Sequence, residues 1–202
     1  MIVTNIHLFS SVVVDNLYSQ LHTNPHIGIA CLYADFKDRT NQTLGNILGS
    51  FLHQLLTTAQ DPIPDEVTQE LRAIQHRRGK VGPEDNLNFL KMRLHQLRCA
   101  FICIDAVDEL EPKVRKQLLN KLKELGTYNN TRLFLTGRHH IESEVTNSFR
   151  VMEGYKIVIS AQQHDIENFV RQQIMEDPHS DTMDEILVKD IIGAIVEKSR
   201  GM

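Results

Sequence analysis

The sequence is poor in everything that would staple a domain covalently or hold it in a bilayer. Its three cysteines, Cys31, Cys99 and Cys103, are odd in number, sit in or beside apolar runs and include no C-x-x-C pair. That pattern carries no signal for zinc or redox chemistry, and the three read as small core residues in a reducing compartment. No stretch reaches the roughly 18 consecutive apolar residues of a membrane span. The apolar start, Met1 to Val14, has no Lys or Arg ahead of its apolar part, which argues against a secretory leader. A cytoplasmic protein with no membrane partner is expected. Basic residues cluster only at His76-Arg77-Arg78-Gly79-Lys80, without interleaved aromatic residues, and the formal net charge is −4. Nucleic acid is therefore not an expected partner. There is no internal repeat and no low-complexity tract.

What is present is ordinary globular chain: 202 residues, 41% hydrophobic and 24% charged, enough for one domain and a fraction of a second. Leu8, Val12, Val13, Leu17 and Leu21 fall at helical spacing, and Asn24-Pro25 stops the pattern. Ile27 to Tyr33 is a continuous apolar run, as a strand buried on both faces requires. Leu44, Ile47, Leu48, Phe51, Leu52, Leu55 and Leu56 predict a second helix, ended by Asp61-Pro62-Ile63-Pro64. Helices follow at about residues 65–76 and 83–97, a strand at Ala100 to Ile104, a helix from Pro112 to Leu125 and a strand at Arg132 to Leu135. Tyr155 to Ile159 reads as a weaker fourth strand, before helices at about 162–175 and 183–199. Apolar strands separated by helices imply an α/β fold: a three-layer parallel sheet with helices on both faces.

Ligands of such sheets gather at the carboxyl ends of the strands. Ala100 to Ile104 runs directly into Asp105, with Asp108 and Glu109 within the next turn. A carboxylate there can hold Mg²⁺ through water, because the ion is hard and keeps most of its hydration shell. Asp108 and Glu109 are placed to orient an attacking water or take its proton. The competing structural reading is that these acids cap the helix near Pro112. The next strand ends in Thr136-Gly137-Arg138; Arg138 offers a planar fork suited to phosphate, and its competing reading is a surface arginine. The motif that should accompany them, G-x-x-x-x-G-K-[ST], occurs nowhere in the 202 residues. Gly79-Lys80 is followed by Val81, has no Gly five positions earlier and lies between helices, so it cannot cradle phosphate. His139-His140 adjoin Arg138 but form no H-x-x-x-H pair, which leaves a metal-dependent nuclease a remote alternative.

Taken as a whole, Phe101-Ile102-Cys103-Ile104-Asp105-Ala106-Val107-Asp108-Glu109-Leu110 resembles the Walker B strand of the NACHT branch of STAND P-loop NTPases, most closely fungal domains of the nephrocystin N-terminal type. Arg132 to Arg138 is similar to the sensor strand, usually Thr-Ser-Arg, with Gly137 as a departure. Cys31 to Asp38 and the helix from Asn46 to Leu56 are similar to the second strand and its helix, and Lys198 to Met202 to a point where relatives continue in an apolar helix.

The resemblance implies a P-loop NTPase sheet over residues 1–160 and the start of a helical subdomain over 161–202. It implies Mg²⁺ with ATP or GTP as cofactors, Asp105 and Thr136 as cofactor contacts, and Asp108, Glu109 and Arg138 as catalytic groups. Partners would be other protein domains, or further copies through flanking regions. Relatives carry the Gly-rich loop just before a helix similar to Ser10 to Leu17, where this chain has Met1 to Phe9, with neither Gly nor Lys. The resemblance therefore implies a lost or misassigned N-terminus, with the first strand missing or replaced by Met1 to Ile6. Three functions follow: a nucleotide-dependent switch in the intact protein with nucleotide binding impaired here, a scaffold or protein-interaction module that binds no nucleotide (or an incomplete gene model), and the nuclease.

Overall fold

A computed structural model of the protein describes residues 6–21, 24, 26–59, 62–63, 65–76, 79–149, 155–159, 162–177 and 183–199. Two compact units divide at residues 151 and 152.

The first unit is built on three apolar runs. β1 (Ile27–Tyr33), β2 (Cys99–Asp105) and β3 (Thr131–Leu135) form a parallel sheet in the order β1-β2-β3. Parallel neighbours cannot be joined by tight turns, and helices make the crossings: α2 (Leu44–Thr58), α3 (Asp65–His76) and α4 (Pro83–Gln96) between β1 and β2, and α5 (Pro112–Leu125) between β2 and β3. Successive strand side chains alternate between faces, so one apolar run feeds two packed surfaces. Ala30, Ile102 and Ile104 join Leu48, Phe51 and Leu55 of α2, Leu90 and Leu94 of α4 and Leu118 and Leu122 of α5 in the main core. Cys31, Cys103 and Asp105 face the other way and meet Ser10 and Val14 of α1 (Ile6–Leu21). α6 (Glu142–Phe149) follows β3.

An edge strand exposes a row of unpaired backbone groups, and β1 is an edge strand. Its edge is covered by α2. Gln54 Oε1 accepts from Cys31 N at 2.8 Å while its Nε2 donates to Cys31 O at 2.9 Å. One turn on, Thr58 Oγ1 accepts from Ile29 N at 3.1 Å and lies 3.2 Å from Ile29 O. Gln54 thus mimics a missing strand at one residue. Gln54→Leu is expected to cost about 1–2 kcal/mol, the range for orphaning half-buried backbone groups, and to increase self-association of the partly unfolded protein. Urea melts together with light scattering check this; an unchanged midpoint would show that water replaces the amide without loss.

The second unit contains α7 (Gln163–Glu176) and α8 (Glu185–Ser199), packed through Val170, Ile192 and Val196. The expected fourth strand at Tyr155 to Ile159 is not formed: these residues join no ladder with any described strand. Strand propensity is realised only against a neighbouring strand, and this run falls in a unit whose described elements are helices. The strand suggested for Met1 to Ile6 lies mostly outside the described residues; Ile6 itself begins α1. Among the described residues no helix is long and apolar enough to cross a membrane.

Candidate functional site

The carboxyl ends of the three strands form one rim, and Asp105, Asp108, Glu109, Thr136 and Arg138 all stand on it. Asp105 closes β2 opposite Tyr33 in the register and is 3% exposed. Its Oδ1 accepts from Ser10 Oγ at 2.5 Å and from Thr136 Oγ1 at 2.6 Å. Two hydroxyls thus converge on one carboxyl oxygen. The carboxylate therefore joins α1 to the end of β3 through the middle strand.

Thr136 is fixed independently. Its N–H donates to Ile104 O at 2.9 Å, its carbonyl accepts from Val107 N at 2.9 Å, and its Oγ1 accepts from Ala106 N at 3.0 Å. These bonds extend the β2–β3 pairing past the end of the strands. They also set the turn after Asp105, where Ala106 is left-handed at φ 53° and ψ 48°, the one non-glycine with positive φ among the described residues. That conformation costs an L-residue roughly 1–2 kcal/mol, and Ala106 is nearly buried. Ala106→Val is expected to destabilise the protein by about 2–3 kcal/mol through a β-branch in a left-handed turn and overpacking. Ala106→Gly should stay within about 1 kcal/mol of the parent, since relief of φ offsets lost burial. Thermal melts of the pair check this, and equal losses in both variants would refute it.

Asp108 and Glu109 lie in a single 3-10 turn, Val107–Glu109. Asp108 Oδ1 accepts from Arg138 N at 3.2 Å, and Glu109 Oε2 accepts from Phe36 N, beyond the end of β1, at 3.3 Å. The Arg138 guanidinium stands 3.6 Å from Asp108 and 3.9 Å from Glu109, its side chain 68% exposed while those of the two acids are 4% and 18% exposed; the distances are long and solvent reaches the arginine, which weakens the pair. Gly137 explains itself here: a Cβ would come within 2.8 Å of Ile141 Cδ1 and 3.3 Å of Asp108 Oδ1. A serine at this position would need Ile141 to move.

Two partners have no sequence signal. Ser10 is one turn into an ordinary amphipathic helix, yet it is buried against Asp105. Arg115 of α5 reaches back with Nη1 to the carbonyls of Asp108 and Leu110, both at 3.2 Å, while its Nε contacts Glu144 at 2.9 Å. His139 pairs with Glu142 at 2.8 Å, its side chain 88% exposed. Among the described residues no three His, Cys, Asp or Glu side chains are grouped to hold a metal ion.

The donor set fits a nucleotide only on one side. The acids could face a hydrated Mg²⁺, but the cradle of backbone N–H groups and the lysine that neutralise phosphates have no counterpart in the sequence. The acids that are present accept from hydroxyl and backbone donors of the chain itself: Ser10 Oγ, Thr136 Oγ1, Arg138 N and Phe36 N.

A parallel α/β domain with its polar residues gathered on the carboxyl rim is the class defined by this geometry. Within that class, the family model described as Nephrocystin 3, N-terminal matches residues 8–138; the chain belongs to that family. The match begins within α1 and ends at Arg138, so it contains every residue of the rim described above. No curated protein matches the chain.

Proposed function

We propose that this chain is the inherited half of a NACHT-type signalling module, a switch that in intact relatives uses Mg²⁺ with ATP or GTP. On this reading its acidic rim serves as a structural latch rather than a working nucleotide site. The observation that carries the proposal is Asp105: a carboxylate 3% exposed whose Oδ1 accepts from both Ser10 and Thr136. Asp108 and Glu109 extend the latch to the chain after β3 and the loop after β1. Membership of the nephrocystin-type family supports the signalling context, and the absence of any G-x-x-x-x-G-K-[ST] window supports impaired phosphate binding. The function that remains is that of a scaffold, which meets other protein domains or further copies of itself in a larger assembly.

Calorimetric titration with ATP or GTP in the presence of Mg²⁺ tests this. No heat of binding is expected at nucleotide concentrations up to about 1 mM, corresponding to an affinity weaker than about −4 kcal/mol. Micromolar binding that disappears in Asp108→Asn or Arg138→Ala would restore the rim as a nucleotide site.

A further inference from the structure

Cys31 and Cys103 are far apart in the sequence and look like two unrelated core thiols, but the fold makes them partners. They are register neighbours on adjacent parallel strands, so their side chains leave the same face of the sheet. Both line the shallow recess between the sheet and α1, beside Asp105 and Phe134. Cys103 is buried and Cys31 half-buried, and all three cysteines are free thiols.

We propose that Cys31 and Cys103 form an oxidation site, a cross-strand dithiol that a hydroperoxide converts to an intrachain disulfide. Adjacent strands lie about 4.8 Å apart, within the Cα range of about 4.4–6.8 Å that a disulfide spans. The Cβ atoms of parallel register partners are separated by about the same distance, slightly beyond the usual 3.5–4.5 Å. Closure must draw the strands together, and a bridge formed under such strain is the readily reduced kind.

The two sulfurs have different parts. Cys31 is half-buried while Cys103 is buried, so a peroxide reaches the Cys31 sulfur first; interaction between the two thiols also lowers the Cys31 pKa from its ordinary value, and the same interaction, with burial, raises that of Cys103. The half-exposed thiol is thus the better nucleophile. Its sulfur attacks one peroxide oxygen, the O–O bond breaks, and a sulfenic acid forms with loss of water or an alcohol. Cys103 sulfur then attacks Cys31 Sγ and expels the sulfenic oxygen, which leaves as water with the Cys103 proton. Two thiols are oxidised by two electrons in all, and one peroxide is reduced.

Peptide mapping tests this on the full chain. The reduced protein is treated with hydrogen peroxide, alkylated with N-ethylmaleimide and digested without reductant. The expected result is a linked pair of peptides containing Cys31 and Cys103, released by dithiothreitol, with Cys99 recovered alkylated. Cys31→Ser and Cys103→Ser should each abolish the link, and Cys99→Ser should leave it intact. Separate recovery of the Cys31 and Cys103 peptides, alkylated or singly oxidised, would overturn the proposal, as would a link that includes Cys99.

Discussion

Arg93→Ala is expected to unfold much of the population, with a loss of about 3–5 kcal/mol against a total stability of roughly 5–15 kcal/mol for a domain of this kind. Arg93 is fully buried, an unusual fate for a guanidinium. It projects from α4 to the C-terminal end of α2, where the last carbonyls of a helix have no intrahelical partner. Nε donates to Leu55 O at 3.2 Å, Nη1 to Pro62 O at 3.1 Å and to Gln96 Oε1 at 3.2 Å, and Nη2 to Ala59 O at 3.5 Å. The negative end of the α2 dipole favours the cation at this position. Truncation would orphan several carbonyls and open a cavity between α2 and α4. Arg93→Lys should recover only part of the loss, because one ammonium cannot reach the same spread of acceptors. Urea unfolding followed by circular dichroism measures both; an alanine variant within about 0.5 kcal/mol of the parent would show that water enters and satisfies the site.

Asp105→Ala is the second large effect expected, about 2–4 kcal/mol. The buried Ser10 hydroxyl and the half-buried Thr136 hydroxyl would lose their shared acceptor, and leaving such donors unsatisfied costs roughly 1–3 kcal/mol each before they find other partners. Ser10→Ala removes only one arm and should cost less. Thr136→Val should cost more than Ser10→Ala, because the Thr136 hydroxyl also accepts from Ala106 N at the left-handed turn. Losses in these variants that simply add would argue against a shared latch, since groups in one network couple by about 0.5–3 kcal/mol.

Much of the fold is legible in the sequence because each element is specified locally. The run Ile27 to Tyr33 and the stripe from Leu44 to Leu56 differ in period, and each forms the element its period implies. The parallel sheet follows from apolar runs alternating with helical ones. Tyr155 to Ile159 misleads because its composition suits a strand while the described elements of its unit are helices. The clustering of Asp105, Asp108, Glu109, Thr136 and Arg138 follows once β2 and β3 are neighbours. How those groups are engaged is not legible. Ser10 beneath Asp105, Gln54 along the edge of β1, Arg93 under the end of α2 and Cys31 beside Cys103 are contacts between residues distant in sequence. None of the four carries a local pattern that distinguishes it from a surface or core residue of the same type.

The latch and the nucleotide site assign opposite behaviour to Asp105, and one experiment separates them. Unfolding of the parent and of Asp105→Ala is measured with and without excess Mg²⁺ and ATP, since a ligand that binds only the folded state stabilises it by RT ln(1 + [L]/Kd). As a latch, Asp105→Ala lowers the unfolding free energy by about 2–4 kcal/mol, and neither protein responds to nucleotide. A parent stabilised by Mg²⁺ and ATP, with an Asp105→Ala variant equally stable in their absence but unresponsive to them, would contradict that reading.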